Sequence, residues 1–166
     1  MGTLARPIIA LYELSNRILD TSISDLSEAD ARVRGRDGSG PSVAWTLGHL
    51  CHHKLRVLAL LGDARVDPFA DAFGHTAATD GTGYPPLAEL ASTFALLHTD
   101  VCTALAASAD RLEAPLPSEG VHRQERKIID VVLFLAWHEA YHIGAIGALR
   151  KSFGRAAISE LVAGRK

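Results

Sequence analysis

The sequence lacks what would put it on a nucleic acid, in a membrane or in an oxidising compartment. Basic residues do not exceed acidic ones: 17 Lys and Arg against 19 Asp and Glu leave a formal charge of −2. No global positive field is therefore available to hold a phosphate backbone, and a nucleic-acid partner is not expected. No uninterrupted apolar run approaches the roughly 18 residues of a membrane span, and the apolar stretch 7–18 is interrupted by Glu13 and Arg17, unlike a signal peptide. Cysteine occurs twice, as Cys51 and Cys102, each within an apolar helical stretch. That is too little for a disulfide framework and fits a reduced compartment, the cytoplasm. The alternation of a β-strand is missing as well.

What is present is alanine, 26 of 166 residues, with apolar residues recurring at spacings of three and four. This is helical patterning in a chain long enough for one domain, residues 1–166, with its own core. The first helix is expected over residues 3–20, with Leu4, Ile8, Leu11, Ser15 and Ile18 on its seam. The polar segment 22–40 reads as a loop, helical near residues 27–33, and its Arg32, Arg34 and Arg36 read as a solvated run. A second helix over residues 41–61 ends at Gly62. The connection 62–86, with Gly62, Gly74, Gly81, Gly83 and Tyr84-Pro85-Pro86, has the length of a lid or a crossover. The third helix, residues 86–108, carries Leu87, Leu90, Phe94, Leu97, Val101 and Ala104. The fourth, residues 123–153, carries Ile128, Val131, Leu135, His138, His142, Ala145 and Leu149. The tail 155–166 is left to dock as a short helix or to fray. Four helices with one long connection between the second and third predict an all-α four-helix bundle, up-down-down-up.

Eight histidines stand out. His138 and His142, in His138-Glu139-Ala140-Tyr141-His142, lie one turn apart on one helix face, where two imidazoles can share a cation at about 2.0–2.1 Å. Both fall on the apolar seam, and burying two unpartnered polar rings is costly, which a shared metal would offset. A third ligand is expected from a neighbouring helix, and the second offers His49, His52 and His53. Periodicity does not choose cleanly among them, although His53 and, more so, His52 read as half-exposed. His75, His98 and His122 are isolated and read as surface or boundary residues. Cys51 and Cys102 read as core thiols, and Arg150 and Lys151 as charges that suit a helix C-terminus or attract an acidic cofactor.

Ser42-Val43-Ala44-Trp45-Thr46-Leu47-Gly48-His49-Leu50, followed much later by Phe134-Leu135-Ala136-Trp137-His138-Glu139-Ala140-Tyr141-His142-Ile143-Gly144, resembles the DinB superfamily of bacterial metal-binding four-helix bundles. Asp67-Pro68-Phe69, Phe73-Gly74 and Tyr84-Pro85-Pro86-Leu87 extend the likeness across residues 41–154. The resemblance implies a divalent metal, zinc or nickel, held by His49, His138 and His142, and a homodimer. Some members are transferases or isomerases using bacillithiol, mycothiol or glutathione; many have no assigned activity. The chain departs from many relatives at Ala145, where they carry glutamine.

Three neutral imidazoles leave coordination positions open, as catalytic sites do. Such a site suits a transferase acting on a small-molecule substrate with a low-molecular-weight thiol, or a hydrolase acting through metal-activated water. The hydrolase needs Glu139 as the catalytic general base, although its place about 100° round the helix from His138 suits orienting a ligand or pairing with a basic neighbour. A non-catalytic metal-binding stress or interaction protein is the third reading, and the Ala145 departure suits it.

Overall fold

A computed structural model describes residues 4–74, 83–117 and 127–163. It contains helices α1 (Ala5–Ile23), α2 (Glu28–Arg32), α3 (Val43–Leu60), α4 (Ala70–Phe73), α5 (Leu87–Ala107), α6 (Ile128–Ser152) and α7 (Ile158–Ala163), with a single 3-10 turn at Ala109–Arg111. No strand occurs among the described residues, where Pro115 and Lys127 form an isolated bridge, and the fold class is all-α. His75, His122 and residues 123–126, assigned above to the start of the fourth helix, lie outside the described residues.

Local chemistry sets the helix ends. Ser42 caps α3 by accepting from the Trp45 amide at 3.1 Å, so Pro41 precedes the cap and does not occupy the first turn. Gly62, at φ +102°, ends it, with its own amide on the Ala59 carbonyl and that of Asp63 on Leu58. Ser27 and Asp30 cap α2 reciprocally. The first turn of α6 would leave amides unpaired; those of Ile128 and Ile129 are taken by the Ala114 and Leu112 carbonyls.

Helix α1 lies against α5 and α6, and α3 lies against the same two. Their apolar faces form one core. Cross-helix neighbours define the order: Cys51 and Lys54 of α3 meet Leu90 and Phe94 of α5, and Lys54 meets Glu139 of α6. At the far end Arg150 of α6 reaches Ser22 and Asp25 after the last turns of α1.

Two seams differ from the expected ones. In α1 the buried line is Ala5, Ile8, Tyr12, Ser15, Leu19 and Ser22, while Leu4 is exposed and Leu11 and Ile18 flank the core. In α6 the buried line runs through Leu135, Glu139, Ile143, Ile146 and Arg150. His138, His142, Ala145 and Leu149 form the adjacent, half-buried strip. The lines agree at Ile8 and Ser15 of α1 and at Ile128, Val131 and Leu135 of α6; beyond Leu135 they part because the core takes in the charged Glu139 and Arg150, which no apolar pattern marks.

Those charges are paired inside, although Glu139 Oε1 has no hydrogen-bond partner among the described residues. Lys54 Nζ faces Glu139 Oε2 across 2.9 Å and lies over the rings of Tyr12 and Phe94, at 4.7 and 4.3 Å from their centroids. Arg150, fully buried, donates to the Ser22 carbonyl, both Asp25 carboxylate oxygens and the Ala156 carbonyl. It is thus a tie between α1, α6 and the tail, in place of the cofactor-attracting charge suggested by its position. Two arginines of the run are structural: Arg32 donates to the Tyr84 and Pro85 carbonyls and Arg34 to that of Gly40, whereas Arg36 is exposed. By length and hydropathy α5 and α6 are each sufficient to cross a bilayer. Both are core helices here.

Candidate metal centre

Four imidazoles meet between α3 and α6. His49 and His53 are one turn apart on α3, His138 and His142 one turn apart on α6, and the two pairs interlock. Ring centroids lie 4.4 Å apart for His49 and His53, 4.6 Å for His53 and His138, 4.4 Å for His138 and His142, and 4.8 Å for His142 and His49. His53, expected as a half-exposed helix histidine, is half-buried and belongs to the cluster. The signal for it was in the sequence: the i, i+4 spacing of His49 and His53 matches that of His138 and His142. His52 turns away, its Nδ1 2.5 Å from Asp67 Oδ2.

The connection between α3 and α5 orients the first ring. Nδ1 of His49 donates to the Phe73 carbonyl at 2.7 Å, which leaves the lone pair on Nε2. Gly48 makes this approach possible, because a Cβ there would fall 2.5 Å from the Phe73 ring. Trp45 stacks on the other side of His49, centroids 4.6 Å apart and planes within 16°. The segment expected as an open lid or crossover thus includes α4 and buries Phe69, Phe73 and Tyr84 against the core.

Nε2 of His49 lies 3.4 Å from Nε2 of His138, which is 3.0 Å from Nε2 of His142. One ligand nitrogen each from His49, His53 and His138 also falls within 4.8 Å of the other two. Nitrogens around a tetrahedral ion with bonds of about 2.0–2.1 Å stand about 3.3 Å apart. The two Nε2 separations from His138, 3.4 and 3.0 Å, are close to that spacing. Burial and the neighbouring rings push the pKa of His138 down to about 4, of His142 to about 3 and of His53 to about 2; burial lowers that of His49. The rings are neutral at pH 7, the form that binds metal. Buried Nδ1 atoms of His53, His138 and His142 have no hydrogen-bond partner, so in contrast to His49 nothing fixes their tautomers.

A sequence profile of the DinB superfamily matches residues 11–146. The chain belongs to the DinB superfamily. Comparison with curated proteins gave no match. The matched stretch of this DinB chain includes all four clustered histidines and ends before Arg150 and α7.

Glu139, the candidate general base, sits between His138 and His142 in sequence, yet its carboxylate is in the core opposite Lys54. Burial pushes its pKa up against the pull of Lys54. Of the two cysteines, Cys51 is buried with its pKa pushed up to about 12, and Cys102 is half-buried against His98. Neither has the environment of a nucleophile.

A cavity of about 590 Å³ adjoins the cluster. His142 and Trp45 form part of its wall, and Ala145 leaves space beside them.

Proposed function

We propose that this DinB protein is an up-down-down-up four-helix bundle that holds one divalent ion, zinc or nickel, on His49, His138 and His142, and uses it in transfer reactions of a low-molecular-weight thiol. The observation that carries the metal reading is the position of His138 Nε2, 3.4 Å from Nε2 of His49 and 3.0 Å from Nε2 of His142, with the tautomer of His49 fixed by Phe73. The bundle order is supported by the neighbours Lys54 with Phe94 and Glu139, and Arg150 with Ser22.

A divalent ion on neutral imidazoles supplies the charge that keeps a thiol deprotonated at neutral pH. The chain supplies the rest. Trp45 and Phe73 hold His49 from two sides, and the cavity beside His142 admits an electrophile next to the ion. A transferase of this kind needs no nucleophile from the protein. Glu139 is paired in the core and is not assigned as a base, which favours thiol transfer over hydrolysis. His53 is the nitrogen available to close the site or to leave it open. We assign the protein to the cytoplasm, where its free thiols fit, and read it as a homodimer, for which the exposed Leu133, Trp137 and Tyr141 strip of α6 is the available face.

The test is metal analysis of the untagged protein beside His49→Ala and His142→Ala, with thiol titrated into a cobalt-substituted sample. Near-stoichiometric metal lost in both variants, with a cobalt spectrum that shifts on adding thiol, is the expected result. A folded protein that takes up no metal would end the metal reading, and a spectrum indifferent to thiol would end the transferase.

A further inference from the structure

The cavity beside His142 has a composition of its own. Its walls include Trp45, Tyr141, Ala145 and Leu149, and its one charged residue is Arg36. Among the described residues no carboxylate lines it, and none pairs with Arg36. A largely apolar cavity with one exposed arginine in its wall suits an apolar molecule carrying one anionic group, and a guanidinium recognises a planar carboxylate through paired hydrogen bonds.

The segment bearing Arg36 is built to stay where it is. Arg36 and Asp37 both adopt φ +51°, a left-handed conformation that Asp tolerates locally but that a residue such as Arg rarely takes. Their neighbours hold them there. The Gly40 amide donates to the Gly35 carbonyl at 2.8 Å, that of Gly35 to Pro41, and the amide and hydroxyl of Ser39 both to the Arg36 carbonyl. Arg34 adds a bond to Gly40 at 2.9 Å. The turn is seated on α6, for a Cβ at Gly35 would meet Leu149 at 2.9 Å. Leu149 lies seven residues beyond His142, about 10 Å along the helix. The turn that carries Arg36 therefore meets α6 about 10 Å from His142, within reach of a substituted aromatic or short aliphatic acid. Backbone strain beside a cavity is stored where a side chain has to be presented.

We propose that this cavity is a binding site for small carboxylic acids with an apolar body, in which Arg36 takes the carboxylate and Ala145 makes room for the body. Combined with the proposed metal centre, on which it rests only for the chemistry at the His142 end, it makes an apolar carboxylate the substrate class of the protein.

The experiment uses the protein as purified, with metal content measured, in a Trp137→Phe background so that fluorescence reports Trp45. The probes are 3-phenylpropionate and its uncharged counterpart 3-phenylpropanol. The acid is expected to bind more tightly than the alcohol. Arg36→Gln should weaken the acid by about five-fold while leaving the alcohol and the metal content unchanged. Ala145→Leu should weaken both probes. Equal binding of acid and alcohol, or acid binding indifferent to Arg36→Gln, would overturn the carboxylate assignment. Binding of both probes unaffected by Ala145→Leu would overturn the cavity. Arg36-dependent acid binding by a protein that takes up no metal would uphold this site and reject the metal centre.

Discussion

The Phe73 carbonyl accepts a hydrogen bond from Nδ1 of His49 at 2.7 Å, and that contact joins the long connection between two core helices to the histidine cluster. It depends on Gly48, whose missing Cβ leaves space for the Phe73 ring. Gly48→Ala should displace Phe73, release His49 and weaken metal binding by about 10–100-fold, the usual effect of losing a partner that orients a metal ligand. Competition with a chromophoric chelator measures this, with circular dichroism to confirm that α3 persists.

His53 and His142 should behave differently. If His49, His138 and His142 are the ligands, His142→Ala removes the metal and His53→Ala retains it at near-unit stoichiometry. Elemental analysis of the two variants decides, and metal lost in His53→Ala but retained in His142→Ala would transfer the site to His49, His53 and His138, whose ligand atoms lie within 4.8 Å of one another.

Lys54 and Glu139 should be worth more as a pair than either alone. Lys54→Met leaves a buried carboxyl without its partner and should destabilise the fold by about 3 kcal/mol, whereas Lys54→Met with Glu139→Leu should recover most of that loss. Urea titrations give both numbers. Metal binding and activity that persist in the double variant would show that Glu139 is not a base.

Acid should unfold the metal-free chain in a defined window. The folded-state pKa values, about 4 for His138, 3 for His142 and 2 for His53, lie below the usual 6.5. Above pH 6.5 folded and unfolded chains are both neutral at these rings, and stability does not change on their account. As pH falls from 6.5 towards 4 the unfolded chain takes up protons that the folded chain refuses, so stability drops. Urea midpoints of chelated protein between pH 7.5 and 4.5 test this, and a flat profile would mean the rings are not buried as described.

The sequence made the four long helices legible through the spacing of their apolar residues, and the end of α3 through Gly62. The His138 and His142 pair was legible for the same reason, a spacing within one helix. Relations across helices were not. Glu139 reads as able to pair with a basic neighbour, but nothing local to it singles out Lys54, and nothing near Arg150 marks Ser22. His53 was missed because a helical histidine gains its meaning only from the ring it meets on another helix. The role of Phe73 was hidden because it is exercised by a backbone carbonyl, which every residue has.

Because α1 lies against α5 and α6, its apolar face has no long helix to cover it until the chain has reached residue 87. As the protein leaves the ribosome, Ile8, Tyr12 and Leu19 must wait for α5, whose first residue, Leu87, lies 79, 75 and 68 positions further along the chain. A plain helical meander closes neighbour on neighbour, but this order makes the slow step a long-range encounter, and folding should be slower than the helix content suggests. The exposed interval, before α5 arrives, is when the nascent chain has most need of a chaperone.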